Sequence, residues 1–388
     1  MKAIETDIIV VGAGLVGLAA AIAFAQQGKN VVLVDAKKPE IKLKKAWDER
    51  VYALTPATEV WLKELNVWAE VDKNRVNDIN AMHIFDAEAA LTLADSDANL
   101  PKLGVIIENQ NLLHALWQQI KTLGVTVVTD AQCTSLNNTP HDVQLDVKLA
   151  SQGNMTITAK LIVAADGVNS WLRQVANIGV SHKSFNQCAI VANFSAEKPH
   201  KNIARQWFAP HDTLALLPLP NRHVSMVWSV STERASELLV LSADELARQV
   251  NGQSQGVLGD LKQVGKTLSF ELNQQTATEL IAERMALVGD AAHQIHPMAG
   301  QGVNLGFRDV MKLAELTTKC MDVGDFNLLR QYERTRAVDI ATMNTLTTGL
   351  DYLFASENSL VKTVTQWGLR QLNRQASIKK LLIQQAAA

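Results

Sequence analysis

"TDIIVVGAGLVGLAAAIAFAQQGKNVVLVD", residues 6–35, is the stretch that decides the fold. Its first six residues are rich in β-branched side chains, the pattern of a strand buried on both faces in a parallel sheet. "GAGLVG" follows with Gly12, Gly14 and Gly17, and "LAAAIAFAQQG" then reads as a helix stopped by Gly28. "NVVLVD" is a second buried strand, ending in Asp35. Gly12 permits the tight turn, Gly14 lets a pyrophosphate come against the backbone, and Gly17 lets helix and strand pack closely. The helix start offers N–H groups and a positive dipole end to phosphate, and Asp35 can accept hydrogen bonds from an adenosine ribose. Strand, turn, helix, strand and acid in this order imply dinucleotide binding, without distinguishing NAD from FAD. No second fingerprint occurs, which argues against a separate Rossmann domain for NAD(P)H. The uncharged run 8–25 has the length of a membrane span, but Glu5 and Asp7 precede it and glycines interrupt it, so a strand followed by a buried helix is the reading adopted.

The 388 residues suggest two or three domains. With 47% hydrophobic and 20% charged residues the chain has the make-up of a globular protein, and a formal net charge of -2 gives no reason to expect nucleic acid. Cys133, Cys188 and Cys320 form no C-x-x-C pair, which suits a reducing cytosol.

Thr55 before Pro56 predicts a helix start, with Leu54, Ala57, Val60, Trp61 and Leu65 on one face. Arg50, just upstream, reads either as a solvated charge or as a cation near cofactor phosphates. Residues 103–124 predict a strand, a polar corner at Glu108–Asn109 and an amphipathic helix. A further strand and a hairpin lead to "ADGVNSWLRQ", where Asp166, Gly167, Ser170 and Arg173 sit at a strand end, a common ligand position in α/β folds. Residues 183–230 are short, β-rich and turn-punctuated, predicting an inserted antiparallel sheet in which Trp207 and Trp228 serve as packing. Residues 232–266 read as helical or irregular.

"GDAAHQIHPMAGQGVNLG", residues 289–306, poses the functional question. His293 and His296 could be metal ligands, but H-x-x-H on a loop leaves a zinc site short of ligands, so no metal is expected. The glycines carry the better argument: Gly300 and Gly302 let backbone amides approach a flat anionic group, and a helix beginning near Val303 turns its positive end toward it. A reduced flavin carries such charge. Asp290, at a strand end, suits a ribityl hydroxyl, and Pro297 suits a rigid wall beside the ring.

"GAGLVG", "ADGVNSWLR" and "LVGDAAHQIHPMAGQGVNLGFRD" stand in the order seen in class A flavoprotein monooxygenases of the p-hydroxybenzoate hydroxylase type. "DERVYALT", "VIIENQNLLHALW", "LALLPLP" and the tail "RQYERTRAVDIATMNTLTTGLDYLF" extend the resemblance, over nearly the whole chain, to the ubiquinone-biosynthesis hydroxylases. The resemblance implies an α/β fold: a discontinuous FAD-binding Rossmann-like domain (1–75, 103–182 and 280–345), an inserted β-rich substrate domain (76–102 and 183–279) and a helical C-terminal segment (346–388). It implies FAD as cofactor, held at its adenosine and pyrophosphate by Gly12, Gly14, Gly17 and Asp35. Arg50 and Asn109 would lie near the pyrophosphate and ribityl chain, and Asp166 would serve both FAD and the nicotinamide donor. Gly289 and Asp290 would take the ribityl chain, and Pro297, Gly300, Gln301, Gly302 and Asn304 would wrap the ring.

The activity implied is hydroxylation of a polyprenylated phenol or quinol with NADH or NADPH and O2, through a flavin C4a-hydroperoxide. The cofactor carries that chemistry and the protein positions it. His293, His296 and Pro297 are the side chains nominated at the reacting centre. The implied setting is cytoplasmic, at the inner-membrane surface and among other ubiquinone-biosynthesis proteins, with "SIKKLLIQQAAA" the segment most like an anchor. A same-fold monooxygenase of a soluble phenol and a non-catalytic FAD-binding scaffold are the alternatives. The ring position attacked, the choice of NADH or NADPH, the general base and the oligomeric state are left open by the sequence.

Overall fold

Ile8–Val11 is buried at every residue and lies between two parallel neighbours, Leu161–Ala164 and Val31–Val34. The computed structural model describes residues 2–40, 42–86, 89–150, 153–210, 212–295, 301–356 and 358–387. The sheet continues in parallel to Met285–Leu287 on one side and Thr126–Val128 on the other, with Ile281–Ala282 antiparallel at the edge. A strand with no polar alternation is stable only where both faces are covered, and helices supply the cover.

In chain order the helices are α1 Leu15–Gln26, α2 Pro56–Glu64, α3 Asp95–Ala98, α4 Asn109–Thr122, α5 Trp171–Val175 and α6 Thr232–Leu239. They continue with α7 Ala243–Gln253, α8 Gly302–Thr317, α9 Phe326–Ala355, α10 Ser359–Arg374 and α11 Ala376–Ala387. The run that resembled a membrane span is the strand Ile8–Val11, the glycine turn and most of α1. Nine residues of α1 are buried, because it packs against the sheet, α4 and α8. A helix apolar all round is stable in water only when so enclosed. Among the described residues no helix is long and apolar enough to cross a membrane.

Thr55 caps α2 as expected, its side chain accepting from Thr58 N at 3.2 Å. Of the expected face, Leu54 and Leu65 are buried and Trp61 packs on the core, and the rest needs correction. Ala57 and Val60 are exposed, and Thr58, Glu59 and Leu62 are buried instead. The cause is Glu59, whose carboxylate is drawn inward by Lys63 and Lys102 at 2.8 and 2.9 Å.

The second layer is an eight-stranded sheet in the order His293–Gln294, Leu261–Ala277, Val180–Ala196, His223–Ser231, Asp212–Leu219, Ile203–Ala209, Ala81–Asp86, Ala89–Ala94. It is not wholly antiparallel: Ala81–Asp86, paired antiparallel with Ala89–Ala94, joins Ile203–Ala209 in parallel. The polar stretch after residue 231 is helical in α6 and α7, but a 17-residue strand begins at Leu261. Trp207 and Trp228 are packing residues, buried with Leu238, Leu246 and Val250 of α6 and α7.

Candidate active site

The parallel strands end at one edge of their sheet, and the nominated residues collect there. The strand Ile8–Val11 runs into Gly12, with φ +105° and no room for a side chain: a Cβ would lie 2.2 Å from Ala165 O. Gly17 is as tightly held, its virtual Cβ 1.9 Å from Gly12 O. Gly14 differs. It is exposed, nothing lies within 4 Å of the Cβ position, and it starts α1 with no side-chain cap. An uncapped helix start over an open glycine is a cradle for an anion, which fits the pyrophosphate of FAD. Asp35 accepts from Ala13 N at 2.6 Å and Lys37 N at 2.8 Å. Its carboxylate thus braces the turn and keeps lone pairs for a ribose hydroxyl.

Asp166 follows the neighbouring strand Leu161–Ala164. Its oxygens accept from Ser170 Oγ at 2.5 Å and Leu172 N at 3.1 Å, fixing the start of α5. Arg173 is buried and donates to Ala291 O and Val168 O, both at 2.8 Å, tying this motif to the late glycine loop.

Arg50 and Asn109 come together at the mouth of a three-stranded sheet, Val51–Leu54, Gly104–Glu108 and Val76–Ile79. Asn109 N donates to Arg50 O at 2.9 Å, and Tyr52 OH donates to Asn109 Oδ1 at 3.4 Å. The Arg50 guanidinium lies 4.8 Å from the Phe270 ring centre, close enough for a cation–π contact. Sequence reasoning passed over what holds this segment. Buried Glu108 takes Arg75 in a two-pronged pair, Nε–Oε2 at 2.6 Å and Nη2–Oε1 at 2.7 Å. Glu108 also accepts from Asp48 N, and Asp48 accepts from Arg50 N at 3.1 Å.

Asp290 lies in a short 3-10 turn, Gly289–Ala291, after Met285–Leu287. It is accessible to solvent, yet protein surrounds it closely. Desolvation raises its carboxyl above the ordinary value, and His293 and Arg50 pull it partly back. Gly289 has φ +58° and packs on Val16, as does Gly306, whose virtual Cβ lies 2.7 Å from Val16 Cγ2.

Behind that turn is a buried network invisible to motif reading. Asp309 Oδ2 accepts from Gly289 N at 2.9 Å and His293 Nε2 at 2.6 Å, and its Oδ1 accepts from Arg336 Nε at 2.7 Å. Burial alone would raise Asp309; the charges of His293 and Arg336 and these hydrogen bonds outweigh it and hold the carboxyl below its usual value. An ionised carboxylate can only accept, so His293 Nε2 carries a hydrogen. His293 therefore stands behind the site as a fastener of the Gly289–Asp290 turn. One signal was available: an acid on the buried stripe of α8, among Leu305, Val310 and Leu313, calls for a buried partner.

Asn304 is also committed, accepting from Thr55 N at 3.1 Å and donating to Ala53 O at 2.8 Å, which holds α8 against Val51–Leu54. Gln301 and Gly302 begin α8, which has no side-chain cap; a Cβ on Gly302 would meet nothing within 4 Å. His296, Pro297 and Gly300 lie outside the described residues.

The start of α8 faces a cavity of about 750 Å3. Its lining includes Arg50, Tyr52, Gln294 and Gln301 to Val303, and the aliphatic Ile79, Met82, Leu93, Leu103 and Leu217 with Leu382, Ile383 and Ala386 of α11. An open glycine at an uncapped helix start, next to an arginine and a largely aliphatic hollow, fits a flavin ring with an apolar substrate beside it.

A protein-family model described as FAD binding domain matches residues 5–345. The ubiquinone hydroxylase UbiL of Rhodospirillum rubrum is 32% identical over 388 residues, covering 98% of this chain and 89% of that protein. The 3-demethoxyubiquinol 3-hydroxylase of Escherichia coli is 31% identical over 391 residues, covering 98% of each. Among solved structures, p-nitrophenol 4-monooxygenase from Pseudomonas putida superposes with a TM-score of 0.81 over 99% of this chain and 98% of that one, at 16% identity, which speaks to the fold. An FAD-family match over most of the chain, full-length relatives and the shared fold agree with the cradle built above: the chain belongs to the FAD-binding class A monooxygenases, in the family of the ubiquinone-biosynthesis hydroxylases.

Proposed function

We propose that this protein hydroxylates the ring of a polyprenylated phenol or quinol in ubiquinone biosynthesis, with NADH or NADPH as transient donor. The observation that supports the reading is a single cavity lined both by polar side chains, Arg50, Gln294 and Gln301 among them, and by aliphatic ones from Ile79, Met82, Leu93, Leu382 and Ile383. When bound, FAD supplies the redox chemistry, accepting a hydride from the nicotinamide and delivering one atom of O2 to the ring.

The residues of the chain do the rest. The uncapped N–H groups of α8 and the Arg50 guanidinium line the cavity and would offer positive potential to an anionic flavin held there. Burial raises the Tyr52 phenol above its ordinary value, against the pull of Arg50, so it stays protonated and serves as a donor to Asn109. Gln206, Thr213 and Ser229 on the sheet wall can hydrogen-bond hydroxyls of the substrate ring. The aliphatic lining excludes water from the reacting centre and accommodates a prenyl chain. Asp309 and His293 keep the Gly289–Asp290 turn in place without touching the substrate. The setting that suits such a substrate is the cytoplasmic face of a membrane, in company with other enzymes of the route.

The test uses the purified FAD-loaded protein. NADH or NADPH oxidation should rise more with a prenylated phenol than with its untailed parent, and the product should carry one more oxygen. A strain lacking the gene should accumulate an under-hydroxylated quinone precursor. Unchanged quinone content in that strain would count against the reading.

A further inference from the structure

Residues 42–50 form neither helix nor strand, yet side chains hold them from two sides. On one side, at the mouth of the three-stranded sheet, Arg75 Nη1 donates to Lys44 O at 2.7 Å and Nη2 to Ala46 O at 2.8 Å, while its ion pair with Glu108 fixes the guanidinium. Gln110 adds two more bonds: its N donates to Asp48 Oδ2 at 2.9 Å and its Nε2 to Ala46 O at 3.0 Å. The eight-stranded sheet holds the other side. The Trp47 ring lies 5.4 Å from that of His223, Asp48 O accepts from Asn193 Nδ2 at 3.0 Å, and Glu49 Oε1 accepts from Lys266 N at 3.0 Å. The contact of Arg50 with Phe270 completes the series. Four consecutive residues each meet that sheet, and the fourth is the arginine.

Asn193 is the most informative of these partners. It is fully buried in Val180–Ala196, on the face of the strand that also carries the cavity-lining Ala189 and Val191. Its Nδ2 goes to Asp48 O and its Oδ1 has no partner. Opposite it in register, Ser225 is equally buried and its Oγ has no partner either. An unpaired buried acceptor is a cost that a leucine at this position would not carry. What the asparagine supplies is the position of Asp48, two residues before Arg50. Neither Asn193 nor Arg75 lines the cavity, whereas Arg50 does.

We propose that Asn193 and Arg75 are positioning residues for Arg50: they clamp the segment 44–48 from two sheets and so fix where the guanidinium stands on the cavity wall. Arginine has a long side chain with much rotamer freedom. A backbone held on both sides, with Phe270 against the guanidinium, removes part of that freedom before any ligand arrives. A charge held in this way meets an anionic group more tightly than the same charge on a loose loop. The assignment rests on the reading that Arg50 meets bound FAD. It does not depend on which phenol is hydroxylated.

The experiment is a double-mutant cycle read as FAD affinity of the full-length apoprotein, by flavin fluorescence. Arg50→Met should bind FAD roughly tenfold more weakly than wild type, and Asn193→Leu and Arg75→Lys about three- to tenfold more weakly. Arg75→Lys keeps a cation for buried Glu108 but loses the planar fork that reaches Lys44 O and Ala46 O. Combined with Arg50→Met, neither change should weaken FAD binding by more than about a further twofold. Asn193→Leu apoprotein should resist urea at least as well as wild type, a result that a merely structural role would not give. Asn193→Ala repeats the affinity measurement without added bulk. Wild-type affinity in Asn193→Leu, Asn193→Ala and Arg75→Lys overturns the assignment. So do losses that add in full to that of Arg50→Met, since the two residues would then support the fold and not Arg50. An Arg50→Met variant that binds FAD as wild type does removes Arg50 from the cofactor site, and the assignment with it. None of these measurements uses a substrate, so the hydroxylase reading is judged apart, by the product formed from a prenylated phenol.

Discussion

His293 Nε2 donates to Asp309 Oδ2 across 2.6 Å, and the two side chains are 1% and 0% exposed. The same carboxylate receives Gly289 N and Arg336 Nε, so one buried acid sets both the Gly289–Asp290 turn and the seating of α8 on α9. Removing its charge leaves Arg336 without one of its two acids. Asp309→Asn should cost about 3–5 kcal/mol in urea unfolding of the apoprotein, the range for breaking a buried ion pair from one side.

The pH dependence of that cost has a definite sign. Asp309 is held below its ordinary value in the folded state, so its contribution is present above the unfolded value, about 3.9, and is lost as pH falls through the lower folded value. The gap in stability between wild type and Asp309→Asn should be flat above about pH 5 and shrink below about pH 4. A gap that closed between neutral pH and pH 8 would contradict the assignment.

The glycines around the cradle divide into two kinds, and alanine substitution separates them. Gly306→Ala puts a methyl group 2.7 Å from Val16 Cγ2 and should destabilise the protein by about 1–3 kcal/mol, partly recovered in the Val16→Ala double variant. Gly14→Ala meets no protein atom and has an ordinary φ of -74°, so thermal stability of the apoprotein should hold or rise slightly. On the reading that the cofactor's pyrophosphate takes that space, FAD affinity should nonetheless fall. Equal FAD affinity in Gly14→Ala and wild type would remove Gly14 from the phosphate site.

Arg50→Met keeps the length of the side chain and removes its charge. Asp290, already raised by desolvation, loses one of the two groups that pull it back. FAD affinity measured by flavin fluorescence should drop roughly tenfold or more, as expected for a charge-assisted contact. Little change in the melting temperature of the apoprotein would locate the effect in binding.

Asp166→Ala tests a different balance. Its two oxygens already hold the Oγ of the α5 N-cap Ser170 and Leu172 N, so loss of these two hydrogen bonds should cost about 1 kcal/mol by itself. FAD binding weakened well beyond that loss would mean that the carboxylate also meets the cofactor.

Local chemistry was legible in the sequence and non-local partnership was not. The run 6–35 predicts strand, turn, helix and strand because each glycine answers to steric limits within a few residues. Thr55 and Pro56 predict the start of α2 for the same reason. The burial of Glu59 depends on Lys102, far along the chain, and no periodicity announces it. The parallel pairing of Ala81–Asp86 with Ile203–Ala209 joins segments more than a hundred residues apart, and strand patterning carries no label of direction. At the site, Gly14 and Gly302 leave open the space a Cβ would fill, and what enters that space is a matter for the binding tests above. The histidine nomination shows where motif reading stops, since His293 is defined by Asp309 on a later helix. The clamp of Glu108 and Arg75 that aims Arg50 also needed the fold to be seen.

Gly14, Asp166 and Asp290 follow adjacent strands of one sheet, yet the chain supplies them in three instalments. On the ribosome, with synthesis at about 5–20 residues per second, the strand Ile8–Val11 waits roughly 15–60 s for Met285–Leu287 to be made. For about the first half of that interval the strand also lacks its own neighbour Leu161–Ala164, and until its end the turn that carries Asp290 is missing. Flavin capture is therefore one of the last events of biogenesis, and a shortage of FAD should show first as aggregation of newly made chains, ahead of any loss from the mature pool.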